Sequence, residues 1–179
     1  MSTRQSVISL TLLLFFFKAS FCQVHSFDAG VRMQKTIGLY YENGITAQYN
    51  LTRRWVVGAS YISSRFGSAI GSNAIRQDNL MISGAYLFRP DRSLKPFVRA
   101  NAGYFNADYE SDLFNGLSHN SAIVSADAGL VYYLKNPIKI NLSLGYNAIT
   151  GTGNDGAGTL YPVFYQTSVT WNFARPETK

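Results

Sequence analysis

Residues 163–173 read VFYQTSVTWNF, and apolar and polar side chains alternate along most of this segment. Neighbouring side chains of a β-strand point to opposite faces of the sheet, so a period of two indicates a strand. One face carries Val163, Tyr165, Val169, Trp171 and Phe173, and the other carries Gln166, Ser168, Thr170 and Asn172. Phe164 is the large apolar exception on the polar face. The segment therefore predicts a strand with one apolar and one polar surface.

The same period recurs along the chain after residue 22. An N-terminal strand begins near Phe27, and four further segments alternate in the same way: 45–51, 96–106, 121–134 and 138–147. Two more, 55–63 and 78–88, alternate less cleanly. The sequence does not fix where the first strand ends, because the alternation continues as far as Tyr41. Asn43-Gly44 is a strong hairpin signal, so we expect the first connection to be a tight turn there. No segment has a helical period, which predicts an all-β protein with eight strands.

The connections between these strands alternate between short and long. The segments 52–54, 89–95 and 135–137 are short, whereas 64–77, 107–120 and 149–162 are long. This alternation is typical of outer-membrane β-barrels, in which short turns face the periplasm and long loops face outward. The strand lengths agree with it, because about 9–11 residues of a tilted strand cross a bilayer.

The composition excludes several other classes of protein. Charged residues make up 15% of the 179 residues, hydrophobic residues 46% and aromatic residues 15%. Low charge with many aromatic side chains is opposite to the composition of a disordered chain. A single Cys excludes a scaffold held by disulfides within the chain.

The first 22 residues have the pattern of an export signal. Arg4 supplies the positive start, residues 7–17 are apolar, and small residues precede a predicted cleavage site before Gln23. The apolar run is shorter than the roughly 20 residues of a transmembrane helix. A lipoprotein signal with Cys22 as the acylated residue is the alternative. We therefore expect a signal peptide over 1–22, one barrel domain over 23–173 and a short tail over 174–179.

Three features favour a membrane barrel over a soluble exported barrel, in which the apolar faces would point inward. One is the end of the last strand, Trp171-Asn172-Phe173. The polar faces contain mainly Ser, Thr, Asn, Gln and Gly, where a water-exposed face would carry many Lys and Glu. Aromatic residues mark both ends of the strands, as in the two girdles of membrane barrels: Trp55, Phe88, Phe97, Trp171 and Phe173 near the short turns, and Tyr61, Tyr104 and Tyr146 near the long loops. Open sheet edges are too costly in lipid, so the first and last strands must pair. The predicted fold class is an all-β, eight-stranded antiparallel up-and-down transmembrane β-barrel.

In this architecture the chain resembles the small eight-stranded outer-membrane barrels of Gram-negative bacteria, of the OmpA membrane-domain and OmpX kind. The resemblance covers residues 24–173 and includes the terminal aromatic strand with Trp171 and Phe173. In that group this strand is the signal read by the barrel-assembly machinery. The tail ARPETK after Phe173 departs from the many members that end at the aromatic residue. The resemblance implies an outer-membrane location, contact with membrane lipids and lipopolysaccharide, a monomer and no cofactor.

Charged residues are predicted on the inward faces of several strands. If Asn106 pairs with Asn120 across the 107–120 loop, the antiparallel register places Arg99 directly opposite Asp127. Arg32 and Lys139 are the other inward cations, and Asp28 is a second anion nearer one mouth. A lumen closed by side chains requires such compensation, because an unpaired charge removed from water is costly.

One spacing suggests an enzyme. His119 and Ser121 form a His-x-Ser pair like that of the lipid A deacylases, and Asp127 or Glu110 would orient the His. Such chemistry must face the outer leaflet, whereas the parity of this strand points both residues inward. We therefore expect no catalytic activity, and the pair is a weak candidate. His25 has no partner at ligand spacing, so we predict no metal site.

The remaining charges lie toward the two ends of the barrel. Asp108, Glu110 and Asp112 fall in one long loop, where they either bind a divalent cation that bridges lipopolysaccharide phosphates or are simply solvated. Basic residues gather near the short turns, where anionic lipid head groups would attract them. The net charge of +6 therefore requires no nucleic-acid partner.

The sequence predicts an integral outer-membrane barrel with a structural or surface-binding role, exercised through its extracellular loops. Eight strands enclose an interior that side chains fill, which argues against an open porin. A narrow pore or an OmpW-like hydrophobic conduit for small molecules is the first alternative. A lipid A-modifying hydrolase is the second.

Overall fold

The computed structural model describes residues 26–36, 41–64, 75–109, 119–134, 137–149 and 162–173. Eight strands lie within these ranges: β1 Ser26–Thr36, β2 Tyr41–Asn50, β3 Trp55–Ser63, β4 Ile75–Leu87, β5 Leu94–Tyr109, β6 Asn120–Tyr133, β7 Ile138–Ile149 and β8 Val163–Asn172. No helix in the described part of the chain is long and apolar enough to cross a membrane. The predicted signal segment and the tail after Phe173 lie outside these residues.

The strands form one closed barrel in which each strand pairs with its neighbours in sequence. All pairs are antiparallel, and β1 pairs with β8 from Asp28↔Asn172 to Thr36↔Phe164. Closure gives the backbone groups of the first and last strands their hydrogen-bond partners, as a sheet in lipid requires. The predicted fold class is confirmed.

The alternation of side chains places apolar residues on the outside and polar residues in the lumen. Leu142 is 53% exposed, whereas its neighbour Ser143 is 8% exposed. The outward faces carry Val31 on β1, Ile82 on β4, Val98 on β5 and Val169 on β8, all exposed. The buried residues include many Ser, Thr, Asn and Gln side chains. A soluble barrel has the opposite arrangement, so the predicted membrane-facing parity is confirmed.

The predicted turn at Asn43-Gly44 is wrong, because both residues lie inside β2. Asn43 pairs with Met33, Gly44 pairs with Arg32, and the ladder continues to Lys35↔Tyr41. The connection between β1 and β2 therefore falls within 37–40, outside the described residues. Close packing of the strands explains the glycine, since a Cβ on Gly44 would lie 2.0 Å from the Tyr61 carbonyl oxygen. Glycine in a strand permits such an approach, so Asn-Gly here is not a turn.

Two of the predicted long loops are partly strand. β4 begins at Ile75 and β5 continues to Tyr109, and these two residues pair with each other. The predicted loops 64–77 and 107–120 are therefore shorter than expected at these ends. Backbone pairing extends the strands here although polar residues interrupt the apolar alternation.

Candidate functional site: the charged lumen

Arg99 on β5 and Asp127 on β6 are Cα partners, as the predicted register required. Arg99 Nε donates to Asp127 Oδ2 at 2.9 Å, and Arg99 Nη2 donates to Asp127 Oδ1 at 2.8 Å. The two side chains are 5% and 0% exposed. Two parallel hydrogen bonds from one guanidinium to one carboxylate fix both orientation and distance.

Further polar side chains hold this pair from both sides. Arg99 Nη2 also donates to Gln166 Oε1 at 3.0 Å, which brings β8 into contact with β5 across the lumen. Asn101 Nδ2 donates to Asp127 Oδ2 at 3.0 Å and to Ser125 Oγ at 2.9 Å. A buried charge pair is tolerated when its remaining donors and acceptors are satisfied in this way.

A second ion pair lies toward the short-turn end of the lumen. Lys139 Nζ on β7 donates to Asp28 Oδ2 on β1 at 2.6 Å. Asn50 Nδ2 donates to the same carboxylate oxygen at 2.8 Å, and Asn172 Nδ2 donates to Oδ1. Asp28, which the sequence offered only as a second possible anion, therefore joins residues from β2, β7 and β8.

The third cation, Arg32, reaches its anion through an intermediate amide. Arg32 Nη2 donates to Gln34 Oε1 at 3.0 Å, and Gln34 Nε2 donates to Glu42 Oε2 at 2.7 Å. Asn79 Nδ2 approaches Glu42 Oε1 at 3.4 Å. Sequence reasoning missed Glu42, because the expected turn at Asn43-Gly44 placed it beside a loop. Glu42 has the same inward parity on β2 as Thr46, and this parity was the signal in the sequence that identifies Glu42.

Charges balance within the described lumen. The buried cations there are Arg32, Arg99 and Lys139, and the buried carboxylates are Asp28, Glu42 and Asp127. All three predicted inward cations are thus buried among carboxylate and amide groups. An interior with equal numbers of opposite charges avoids the large penalty of uncompensated ions out of water.

Apolar side chains fill the rest of the interior. Toward the long loops lies a cluster of Ile62, Met81, Phe105, Ala107 and Ile123. Toward the short turns lies a second cluster of Val56, Leu87, Phe97 and Val131. Phe97 was expected in the aromatic girdle, which is wrong, because it has the same inward parity on β5 as Arg99. The other predicted girdle residues are exposed on the outer surface.

The space between the described side chains of the lumen is small in its deeper part. A cleft of about 320 Å³ opens at the short-turn mouth beside Lys95, Tyr133 and Lys139. Deeper in, the space between Asp28, Arg99 and Lys139 is about 30 Å³. A space of that size holds very few water molecules, so the described lumen is packed rather than channel-like.

His119 and Ser121, the weak catalytic candidates, each have a contact to a backbone carbonyl oxygen. Ser121 is buried on the inward face, and its Oγ donates to the Ala122 carbonyl oxygen at 3.1 Å. His119 precedes β6 and is exposed, with Nδ1 3.4 Å from the Ala107 carbonyl oxygen. A serine hydroxyl that donates to a backbone carbonyl is not activated by an imidazole, so this geometry does not support a hydrolase.

Of the three acidic loop candidates, one lies among the described residues. Asp108 lies near the end of β5 and is exposed, whereas Glu110 and Asp112 lie outside the described residues. Among the residues that the structure describes, no group of three or more His, Cys, Asp or Glu side chains is placed to hold a metal ion.

The terminal aromatic residues lie on the outer surface at the short-turn end. Trp171 in β8 pairs with Ala29 on β1 and with Ile138 on β7. Phe173 N donates to the Phe27 carbonyl oxygen at 2.8 Å, and the two rings lie 6.1 Å apart. The predicted assembly signal is therefore located at the seam where the first and last strands close the barrel.

A closed sheet of eight antiparallel strands, an apolar outer face and a polar packed lumen together define the fold of a small transmembrane β-barrel, the architecture found in the outer membranes of Gram-negative bacteria. Solved structures of that class are similar to this chain. The N-terminal β-barrel domain of Pseudomonas aeruginosa OprF matches with a TM-score of 0.64 and 18% identity, over 83% of this chain and 98% of that one. Outer membrane protein H (OprH) from P. aeruginosa matches with a TM-score of 0.59 and 17% identity, over 83% and 99%.

These likenesses concern the fold. A de novo designed transmembrane β-barrel also matches, with a TM-score of 0.56 and 11% identity, over 84% of this chain and 97% of that one. No family model matches the chain, and no curated protein matches it at a significant level. Because designed and natural proteins share this barrel, its function must be argued from its own residues.

Proposed function

We propose that this protein is a non-conducting scaffold of the outer membrane that acts through its long-loop end, where it stabilises the envelope or binds a surface ligand. The observation that carries this proposal is the length of β5. It contains 16 residues, whereas about 9–11 residues cross a bilayer. The barrel wall is therefore built higher than the membrane requires.

The additional length of β5 lies at the long-loop end. The outward Tyr104 stands at the level of the upper aromatic girdle, and the strand continues beyond it to Tyr109. β4 accompanies it to Ile75, and β6 pairs with it up to Asn106↔Asn120. Three adjacent strands thus support the connections 65–74 and 110–118 on a hydrogen-bonded sheet. A rigid base under loops is the usual arrangement of a binding surface.

The packed lumen supports a scaffold rather than a transport role. A pore requires a continuous aqueous path, whereas this lumen contains two buried ion pairs, and apolar clusters flank them toward both ends. The narrow pore and the hydrophobic conduit remain the competing functions, and both predict measurable passage of solute. The hydrolase alternative has no support from the geometry of Ser121.

Two measurements test the proposal. Purified protein in planar bilayers is expected to give no steady ionic conductance, and a stable open channel would favour the pore. In cells that lack the gene, sensitivity to detergents and antibiotics is compared after complementation. The wild type is expected to restore resistance, and a variant with residues 111–118 replaced by Gly and Ser is expected to fail.

The matched control keeps the loops and alters the lumen. A variant that combines Arg99→Met with Asp127→Asn removes the buried ion pair and leaves residues 111–118 unchanged. It is expected to restore resistance if it reaches the membrane in normal amounts. Full rescue by the loop variant would contradict a role for the long-loop end.

A further inference from the structure

The lipid-facing surface of β4–β7 contains a recess of about 750 Å³. Its floor consists of small residues on three adjacent strands, Gly84, Ala100, Ala126 and Ala128. Gly84 pairs with Ala100, and Ala100 pairs with Ala126, so these residues form a row across the sheet. A recess of this volume is in the range of clefts that take a small ligand.

Large side chains form the walls of the recess. Trp55 and Tyr86 border it on one side, and Leu144 and Tyr146 border it on the other. A Cβ added to Gly84 would have no heavy atom within 4 Å, which shows how open the space above the floor is. The surface available to a ligand is therefore apolar and open toward the lipid, and suits a hydrocarbon chain.

The short-turn end of the recess carries a cation. Trp55, Tyr86 and Phe88 stack edge to face, with ring centroids 5.1 and 5.0 Å apart. Arg54 Nη1 donates to the Tyr86 hydroxyl at 3.1 Å, so its guanidinium lies on the outer surface at the level of these aromatic residues. Aromatic girdles mark the depth of the lipid head groups.

The charge of Arg54 has no carboxylate partner within the described residues. Its neighbour Arg53 lies 3.7 Å from Asp91, whereas the contact of Arg54 is to a neutral hydroxyl. A guanidinium has five N–H donors, and most of those on Arg54 are available to an external acceptor. Phosphate is the anion found at this depth of a membrane, and Arg binds it through paired donors.

We propose that this recess binds one anionic diacyl phospholipid in the leaflet at the short-turn end. The phosphate accepts hydrogen bonds from Arg54, and one acyl chain lies on the floor of Gly84, Ala100 and Ala126 between the aromatic walls. Arg54 favours a phospholipid over a second copy of the barrel, because its guanidinium lacks a carboxylate partner among the described residues and a phosphate supplies that charge. The site is independent of the function proposed for the long-loop end.

The test measures lipid binding by native mass spectrometry of the folded full-length barrel released from detergent micelles. Phosphatidylglycerol is the anionic probe, and phosphatidylcholine with the same chains is the zwitterionic comparison. The wild type is expected to retain phosphatidylglycerol about fivefold more tightly, from the contribution of one basic residue at a membrane surface. Arg54→Gln is expected to remove that preference.

A second variant tests the recess itself. Ala126→Leu adds apolar volume to the floor and is expected to weaken the retention of both lipids. Ala122→Leu is its control, since Ala122 lies outward on the same strand but outside the recess. Arg92→Gln is the control for charge, because Arg92 is exposed in the β4–β5 turn. Both controls are expected to bind like the wild type.

Folding of each variant is checked by the heat-dependent shift of barrels in gel electrophoresis. If Ala126→Leu does not fold, Ala100→Leu fills the same floor and replaces it. Equal retention of the two lipids by the wild type overturns the proposal. Unchanged lipid retention in Ala126→Leu or in Ala100→Leu also overturns it. A dimer of barrels without bound lipid does the same.

Discussion

Lys139 on β7 and Asp28 on β1 form an ion pair of 2.6 Å across β8, the strand that lies between them. The two residues are 111 positions apart in the sequence. Since Asp28 also accepts from Asn50 and Asn172, one carboxylate connects both sides of the barrel seam. The contact can form only when the first and last strands have paired.

Loss of this carboxylate is expected to weaken barrel closure. Asp28→Asn leaves the ammonium of Lys139 buried without a charge partner, which costs about 3 kcal/mol in the free energy of unfolding. Urea titration of the barrel in lipid vesicles measures it. The double variant Asp28→Asn with Lys139→Met lacks the buried ammonium as well as the carboxylate. It is therefore expected to recover part of that loss. A loss below about 1 kcal/mol for Asp28→Asn would indicate that water screens the pair.

The Arg99–Asp127 pair is expected to show strong energetic coupling. In a double-mutant cycle of Arg99→Met and Asp127→Asn, the losses should be non-additive by about 2–3 kcal/mol. The physical reason is that both side chains are buried and each single change leaves one charge unpaired. The matched control is Arg53 with Asp91, whose side chains are 60% and 83% exposed. Its coupling should stay below about 1 kcal/mol. Additive losses at Arg99 and Asp127 would contradict a dry ion pair.

A cation on the outer face is expected to cost most at the middle of the membrane. Leu142 lies outward near the middle of β7, and Leu142→Arg should cost about 2–4 kcal/mol of folding free energy. Leu94 lies outward at the short-turn end of β5, and Leu94→Arg should cost at most about 1 kcal/mol. Denaturant titrations in vesicles compare the two. Equal costs would show that these residues do not face lipid at different depths.

The terminal aromatic residue is expected to matter more for assembly than for stability. Phe173 is exposed and contacts Phe27 at the seam, so Phe173→Ala removes little packing. If the assembly machinery reads this residue, the amount of folded barrel in the outer membrane should fall several-fold, with a small change in unfolding free energy. Phe88→Ala removes another exposed aromatic residue at the same end and serves as the control. Normal membrane levels of the Phe173 variant would rule out the signal.

Two glycines on the barrel wall are expected to respond in opposite ways to a methyl group. Gly44→Ala brings a Cβ within 2.0 Å of the Tyr61 carbonyl oxygen, so the strands must separate. We expect it to cost more than about 1 kcal/mol. Gly84→Ala meets no atom within 4 Å and is expected to be neutral or slightly stabilising, because glycine weakens a strand. Thermal or urea unfolding measures the stability of the two variants. Equal stability of the two would contradict the close packing at Gly44.

The alternation of side chains determined the fold class, since the period of two is a local property of each strand. Leu142 and Ser143 were assigned to opposite faces from sequence alone, and their burial agrees. The pairing of Arg99 with Asp127 could also be predicted from the sequence. Consecutive strands pair antiparallel, so one correct pair across their loop fixes all the others.

Only the tertiary structure decided the contacts that depend on closure or on an unrecognised turn. Glu42 was missed because Asn43-Gly44 has the local chemistry of a turn, and the close approach of Tyr61 that makes Gly44 necessary comes from a different strand. The pair of Lys139 with Asp28 needs the barrel to close between β8 and β1. The recess above Gly84 and Ala100 depends on the walls that β3 and β7 provide. The alternation in the sequence predicts which face of the sheet a side chain lies on. The residues that it contacts there depend on the register of all eight strands.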